Sequence, residues 1–177
     1  MEVYAVRHGQ TDWNAVQRVQ GRTDIPLNET GREQARSVAA SLPDDIGIIL
    51  SSPLKRALET AEIINERYGA EIAVDDRLME RDFGAYEGVL VSDIDINNLR
   101  RWTDNAPTEG GESIRDVAKR VFEYLDEIGE KYRDENVLIV THGHVLRAVY
   151  WYYNGLPQGG GEAENVIEIE NCVVFHF

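Results

Sequence analysis

The sequence predicts an α/β fold, a single three-layer α/β/α domain over residues 1–177 with a mainly parallel sheet. Three observations carry that expectation. Short β-branched runs alternate with helical patterns along the whole chain, the order that yields a parallel sheet covered on both faces. Two of those runs, 46–50 (IGIIL) and 137–140 (VLIV), are largely or wholly apolar without polar alternation, as strands buried on both sides are. A length of 177 residues, with no repeat, low-complexity tract or convincing linker, fits one domain.

Each element follows from local pattern. Residues 3–6 read as a first strand, and 29–42 as a helix opened by Thr30 with Glu33 three residues on, the spacing of a capping box. After strand 46–50, Ser52 and Pro53 read as the N-cap and first-turn proline of a helix over 54–68. A short strand is expected at 72–74. Residues 89–111 are poorly periodic, with a brief helix near 98–103 and a Pro/Gly-rich loop. Ile114, Val117, Val121, Leu125 and Ile128, spaced by three and four, predict a long amphipathic helix over 112–133. Strand 137–140, a helix over 145–153 and two final strands at 166–169 and 173–177 complete the order.

Composition narrows the function. The formal net charge of -14 opposes nucleic acid and anionic membranes as partners. It does not oppose a phosphate ester, because charges beyond about 8 Å are largely screened at physiological salt. A local cluster of Arg and His still makes an anion site. No apolar run approaches the roughly 20 residues needed to span a bilayer, and MEVYAVRHGQ lacks the pattern of a signal peptide, so cytoplasm is the default expectation. Cys172 is the sole cysteine, which excludes an internal disulfide and a multi-cysteine zinc site; it reads as a buried structural thiol.

Ligands bind at the carboxyl ends of strands in open α/β sheets, and three such ends carry unusual residues. The first strand runs into Arg7-His8-Gly9. The second leads through Ser51 and Ser52 to a helix whose first turn holds Arg56. Strand 137–140 leads into Thr141-His142-Gly143. Glycine after each histidine suits close approach of a ligand to the backbone. Arginine fits phosphate oxygens two at a time, and an imidazole can serve as a covalent nucleophile. These placements suggest a shared phosphate pocket, although a histidine at a strand end or an arginine on a helix needs no catalytic explanation by itself.

The string VRHGQTDWN, followed by QGRTDIPLNETGREQA, SSPLKRALETAEII, LMERDFGAYEG, GGESIRDVAKRV and VLIVTHGHVLRAVYWYYNGLP, resembles the histidine phosphatase (phosphoglycerate mutase-like) superfamily. The blocks occur in family order over roughly two-thirds of the chain, and in size and motif they are most similar to the α-ribazole and broad-specificity phosphatases. The resemblance implies a phosphomonoester hydrolase of a small phosphorylated metabolite that needs no cofactor and no metal. It implies His8 as the nucleophile that becomes phosphohistidine, with Arg7, Arg56 and His142 around the phosphoryl group and Asn14 orienting it. Gly9 would let the phosphate reach the backbone, and Glu80 would be the proton donor to the leaving alcohol.

Chemistry sets conditions on those roles. His8 needs a partner on its other nitrogen to fix the attacking tautomer, and Glu80 must be protonated when the ester bond breaks, through burial or the arriving phosphate dianion. Asp82 and Glu87 are local rivals of Glu80. His144 suits either the pocket rim or solvent, and His176 reads as structural. The segment after Gly88 is shorter than in relatives of this kind, which disfavours a phosphoglycerate mutase; within it Arg100, Arg101 and Trp102 either contact substrate or form an exposed short helix. A non-catalytic phospholigand-binding module and a metal hydrolase built on His8, His142 and a carboxylate are the competing classes. Trp151, Tyr152 and Tyr153 read as the core face of a helix, or as a dimer patch, so monomer and homodimer both stay open.

Overall fold

The computed structural model describes residues 1–95, 109–156 and 169–177. The expected helix near 98–103, with Arg100, Arg101 and Trp102, and nearly all of the expected strand 166–169 lie outside the described residues.

Among the described residues five strands form one sheet: β1 (Val3–Arg7), β2 (Ile46–Ser51), β3 (Glu71–Val74), β4 (Asn136–Thr141) and β5 (Val174–His176), in the order β3-β2-β4-β1-β5. The first four are mutually parallel, and β5 closes the edge antiparallel to β1. Side chains alternate between faces along a strand, so the central apolar runs feed two cores. Val3, Ala5, Ile48, Leu50, Val137 and Ile139 pack on one side against α4 (Ile114–Lys131) and α5 (Gly143–Asn154). Val6, Ile49, Leu138 and Val140 pack on the other against α2 (Glu29–Ala39) and α3 (Lys55–Asn65). The three-layer expectation holds, and a four-residue helix α1 (Asp12–Ala15) follows β1.

Several local expectations are corrected. Helix α2 is capped by Asn28, whose side chain accepts from Gly31 N at 2.9 Å, and Thr30 lies inside its first turn. The N-cap of α3 is Leu54, which makes no side-chain cap. The free N–H of Lys55 instead goes to Asp24 Oδ1 at 2.8 Å, across from another loop. Ser52 is left for a different partner. Helix α4 begins two positions later than expected, after a reciprocal Ser113–Asp116 capping box. Cys172 is half-buried rather than buried, at a turn with φ 55° just before β5. Trp151 is buried, whereas Tyr153 is partly exposed and stacks on Phe177 at 4.9 Å. Among the described residues no helix is long and apolar enough to cross a membrane.

Register positions the site. Arg7 pairs with Thr141 and Ser51 with Val140, so β1, β4 and β2 end level with one another. The backbone bonds from His8 N to Thr141 O (2.9 Å) and from Ser52 N to Val140 O (3.1 Å) extend that alignment. His8, Ser52 and His142 therefore leave the sheet side by side at its carboxyl edge.

Candidate active site

A cavity of about 650 Å³ opens at that edge, within the usual range for small-molecule sites. Arg7, His8, Asn14, Arg56 and Glu80, drawn from four separate stretches of chain, all line it. His142 sits behind them, its ring centroid 5.1 Å from that of His8.

His8 is buried, and its Nδ1 lies 2.7 Å from the carbonyl oxygen of Gly9. A carbonyl only accepts, so Nδ1 carries the proton and donates it there, leaving a lone pair on Nε2. This is the tautomer-fixing partner that residue identity alone does not name. Arg56 Nε donates to that Nε2 at 3.2 Å. Burial, then the charges of Arg56, His142 and Arg7, hold His8 well below the usual histidine range, although its bond to Gly9 pulls the other way. The imidazole is neutral at physiological pH.

Arg56 is fully buried, and its guanidinium is fixed at three corners: Nε on His8, Nη1 on Thr23 O at 2.9 Å and Nη2 on Gly21 O at 2.7 Å. Its remaining N–H groups are available to an anion. Burial lowers it to about 10, against the favourable charges of Glu80 and Asp24, so it stays cationic. Arg7 ends β1 and donates from Nη1 to Ile169 O at 2.7 Å. Asn14 closes a capping box with Thr11, its Oδ1 accepting from Thr11 N and Oγ1 at 3.1 Å each. That engagement turns the amide oxygen away from service and leaves the NH₂ end for a ligand.

His142 is the N-cap of α5 and is buried, with Nε2 2.8 Å from Ser52 Oγ. Its Nδ1 has no hydrogen-bond partner among the described residues. Burial, then Arg56, holds it well below the ordinary histidine value. Ser52 thus serves His142, with Leu54 N also donating to its Oγ at 3.3 Å.

Glu80 is buried and lines the same cavity as His8. Its Oε1 accepts from Arg81 N at 2.9 Å and from His144 N at 3.1 Å. The carboxylate therefore caps the first turn of α5, where helix geometry favours a negative charge. Burial raises the Glu80 pKa, but His144, His142 and the Arg81 N–H outweigh it and hold the group well below the usual carboxylate range. Burial alone, contrary to one of the two expected routes, does not keep Glu80 protonated. An approaching phosphate dianion is left to do so.

The rivals have other work. Asp82 Oδ1 accepts from Gly84 N at 2.8 Å, a local turn. Glu87 binds the backbone of residues 22–23. His144 is buried, with Nδ1 3.8 Å from Glu80 Oε1 and its ring edge-on to Phe83 at 5.1 Å; burial lowers it to about 4. His176 is exposed, stacked on Tyr4 and bonded to Glu2.

Gly9 requires a correction. A Cβ there would meet the Gly31 carbonyl oxygen at 2.3 Å, and one on Gly31 would meet Gln10 O at 2.2 Å. Gly9 N already donates to Thr60 Oγ1 at 3.1 Å. Gly9 exists for close packing of the His8 loop on α2, and its backbone is not open to a phosphate. Sequence reasoning also passes over Arg147, which lines the cavity one helical turn beyond His144. The i, i+3 spacing from a histidine at a helix start was a usable signal. Arg18, which also lines the cavity, lies in an irregular segment and offers none.

The family model for the histidine phosphatase superfamily (branch 1) matches residues 3–176. An uncharacterized phosphatase of Bacillus subtilis, PhoE, is 38% identical over 97% of this chain and 85% of its own length. Phosphoserine phosphatase 1 of Hydrogenobacter thermophilus is 35% identical over 85% of this chain and 74% of its own. Among solved structures, phosphoserine phosphatase of Entamoeba histolytica in complex with 3-phosphoglyceric acid superposes with a TM-score of 0.85. It shares 28% identity, with 99% of this chain and 89% of that one covered.

Proposed function

We propose that this chain, which belongs to the histidine phosphatase superfamily (branch 1) and is a phosphatase acting on a phosphorylated metabolite, works by passing the phosphoryl group through Nε2 of His8. The observation that carries this mechanism is the tautomer lock. Gly9 O holds the proton on Nδ1 while Nε2 keeps its lone pair at the cavity wall.

In the first step Nε2 attacks phosphorus and the P–O bond to the leaving alcohol breaks. Arg56 Nε–H, released from Nε2, turns to a phosphoryl oxygen. Arg7, the Asn14 amide and Nδ1–H of His142 supply further donors to the charge spread over the equatorial oxygens. Glu80 delivers the proton to the departing oxygen, then takes one from the water that attacks phosphohistidine, as the P–N bond breaks, inorganic phosphate leaves and Nε2 recovers its lone pair. The cationic neighbours of His8 and His142 oppose a metal ion there, which supports a metal-independent route.

The leaving group meets Arg18, Arg147 and Phe83 on the outer wall. That lining suits a small alcohol bearing an acidic group, in keeping with the phosphoserine and 3-phosphoglyceric acid named for relatives. A screen should set such esters beside an α-ribazole-type phosphate and sugar phosphates. The direct test is hydrolysis of a generic aryl phosphate at pH 5–8 with excess chelator, with acid-labile phosphate on the protein trapped by rapid quench. Turnover that survives chelation, with label on His8, is the expected result. Turnover that requires added metal would sink the mechanism.

A further inference from the structure

Glu87 competes with Glu80 in the sequence for the role of acid, and the structure gives it a different set of partners. Its Oε1 accepts from Arg22 N at 2.8 Å and Phe83 N at 3.3 Å, and its Oε2 from Thr23 N at 2.9 Å and Thr23 Oγ1 at 2.5 Å. Most of these donors belong to one turn, residues 21–23. The carbonyls of that turn, Gly21 O and Thr23 O, are the two that hold the guanidinium of Arg56.

The connection runs through a single peptide plane. The N–H of Arg22 and the C=O of Gly21 are opposite ends of one trans peptide group. Glu87 holds the N–H end and Arg56 Nη2 the C=O end. A carboxylate on the N–H polarises the unit and makes its carbonyl a better acceptor for the arginine. Gly21 fits both demands, since its φ is 54° and a Cβ on it would lie 2.0 Å from Glu87 Oε1. A short ladder, Val19 N to Val89 O at 2.9 Å and Gly88 N to Val19 O at 2.8 Å, brings the two segments alongside.

We propose that Glu87 is a positioning residue of the phosphoryl pocket, fixing Arg56 against Nε2 of His8 through the turn at Gly21–Thr23. The proposal rests on the reading of His8 as nucleophile. Without the carboxylate, the N–H groups of Arg22 and Thr23 lose their acceptor, the turn relaxes and the anchors of Arg56 move with it. Misplacement of a reacting or binding group by about 1 Å can cost about 10²-fold in rate.

A double-mutant cycle tests this, with Glu87→Ala and Arg56→Ala separately and together, read by kcat and KM on an aryl phosphate. The expected result is a loss in kcat of ~10–10²-fold for Glu87→Ala in the wild-type background, shrinking to under ~3-fold when Arg56 is already absent. Equal losses in both backgrounds overturn the proposal, because Glu87 would then support the fold at large. Gly21→Ala, whose methyl displaces the carboxylate, must show the same dependence on Arg56, which guards against a poorly folded Glu87 variant. His8→Ala run alongside keeps the two readings apart. Activity surviving in it overturns the phosphohistidine route, whereas additive losses with His8→Ala inactive overturn the role of Glu87. Calorimetric binding of inorganic phosphate to the same four proteins must show the same coupling, whatever the nucleophile.

Discussion

The two histidine-glycine steps, His8-Gly9 after β1 and His142-Gly143 after β4, are near copies in sequence and sit side by side at the sheet edge. They do different things. His8 has Nδ1 tied to the next carbonyl and Nε2 facing Arg56 and the cavity. His142 spends Nε2 on Ser52 and begins a helix. The glycines differ as well. Gly9 is packed backbone to backbone against Gly31, whereas a Cβ on Gly143 would meet Glu80 Oε2 at an ordinary 3.7 Å. Identical local chemistry at a strand end takes its role from what the next element packs against.

The comparison can be broken at its strongest point by substituting the histidines. His8→Ala is expected to reduce aryl phosphate turnover to background and abolish trapped phosphoenzyme. His142→Ala, which removes a donor but not the nucleophile, should lose about 10²–10³-fold and still form phosphoenzyme. Comparable losses in both, with phosphoenzyme absent from both, would remove the distinction between them.

Glu80 sharpens it next. Glu80→Gln should slow alkyl phosphates by about 10²–10⁴-fold, the usual reach of a general acid, and aryl phosphates much less, because an aryl oxide leaves without a proton. The wild-type kcat/KM should fall above about pH 6, where the ester loses its last proton. With Glu80 ionised in the empty site, the proton must arrive with the substrate. A profile flat to pH 9 would count against Glu80 as the acid.

The glycines give a smaller effect. Gly9→Ala forces the His8 loop off α2 and is expected to destabilise the protein by about 1–3 kcal/mol, seen as a lower denaturant midpoint and slower turnover. Gly143→Ala should unfold within about 1 kcal/mol of wild type, with activity changed a few-fold. A reversed order would mean that ligand approach, not packing, selects Gly9.

The effect spread most evenly over the site is in pH-dependent stability. His8, His142 and His144 all have folded-state pKa values below the unfolded one, that of His144 at about 4. Below about pH 6.5 the unfolded chain therefore binds more protons than the folded one. Each group then removes up to ~1.4 kcal/mol of stability per pH unit as pH falls toward its folded pKa. Glu80, depressed in the fold, adds to the loss below the unfolded carboxylate range. Denaturant midpoints from pH 7 to 4 should decline steadily, and the slope should ease in His144→Phe.

Much of this was legible in the sequence, for a definite reason. Apolar runs and three-to-four spacing report burial on strands and helices directly, so the layers, the long α4 and the strand ends bearing His8 and His142 could be read without coordinates. Caps were less legible. Thr30 and Ser52 have the right chemistry for helix starts, yet Asn28 and the distant Asp24 take those N–H groups, since any nearby oxygen serves. Glu80 could be separated from Asp82 and Glu87 by family resemblance but not by chemistry, because three carboxylates within eight residues look alike until their partners are known.

What the sequence by itself determined is the α/β architecture, two histidine-glycine strand ends and residue types suited to a phosphate pocket, all functions of near neighbours along the chain. Tertiary structure alone decided which nitrogen of His8 is free, that Arg56 reaches it across 48 residues, that Gly9 serves packing, and that Glu87 reads the turn behind Arg56. Each of those is a contact between segments far apart in sequence. Their physics depends on distances of a few ångströms, which strand register sets and residue identity does not.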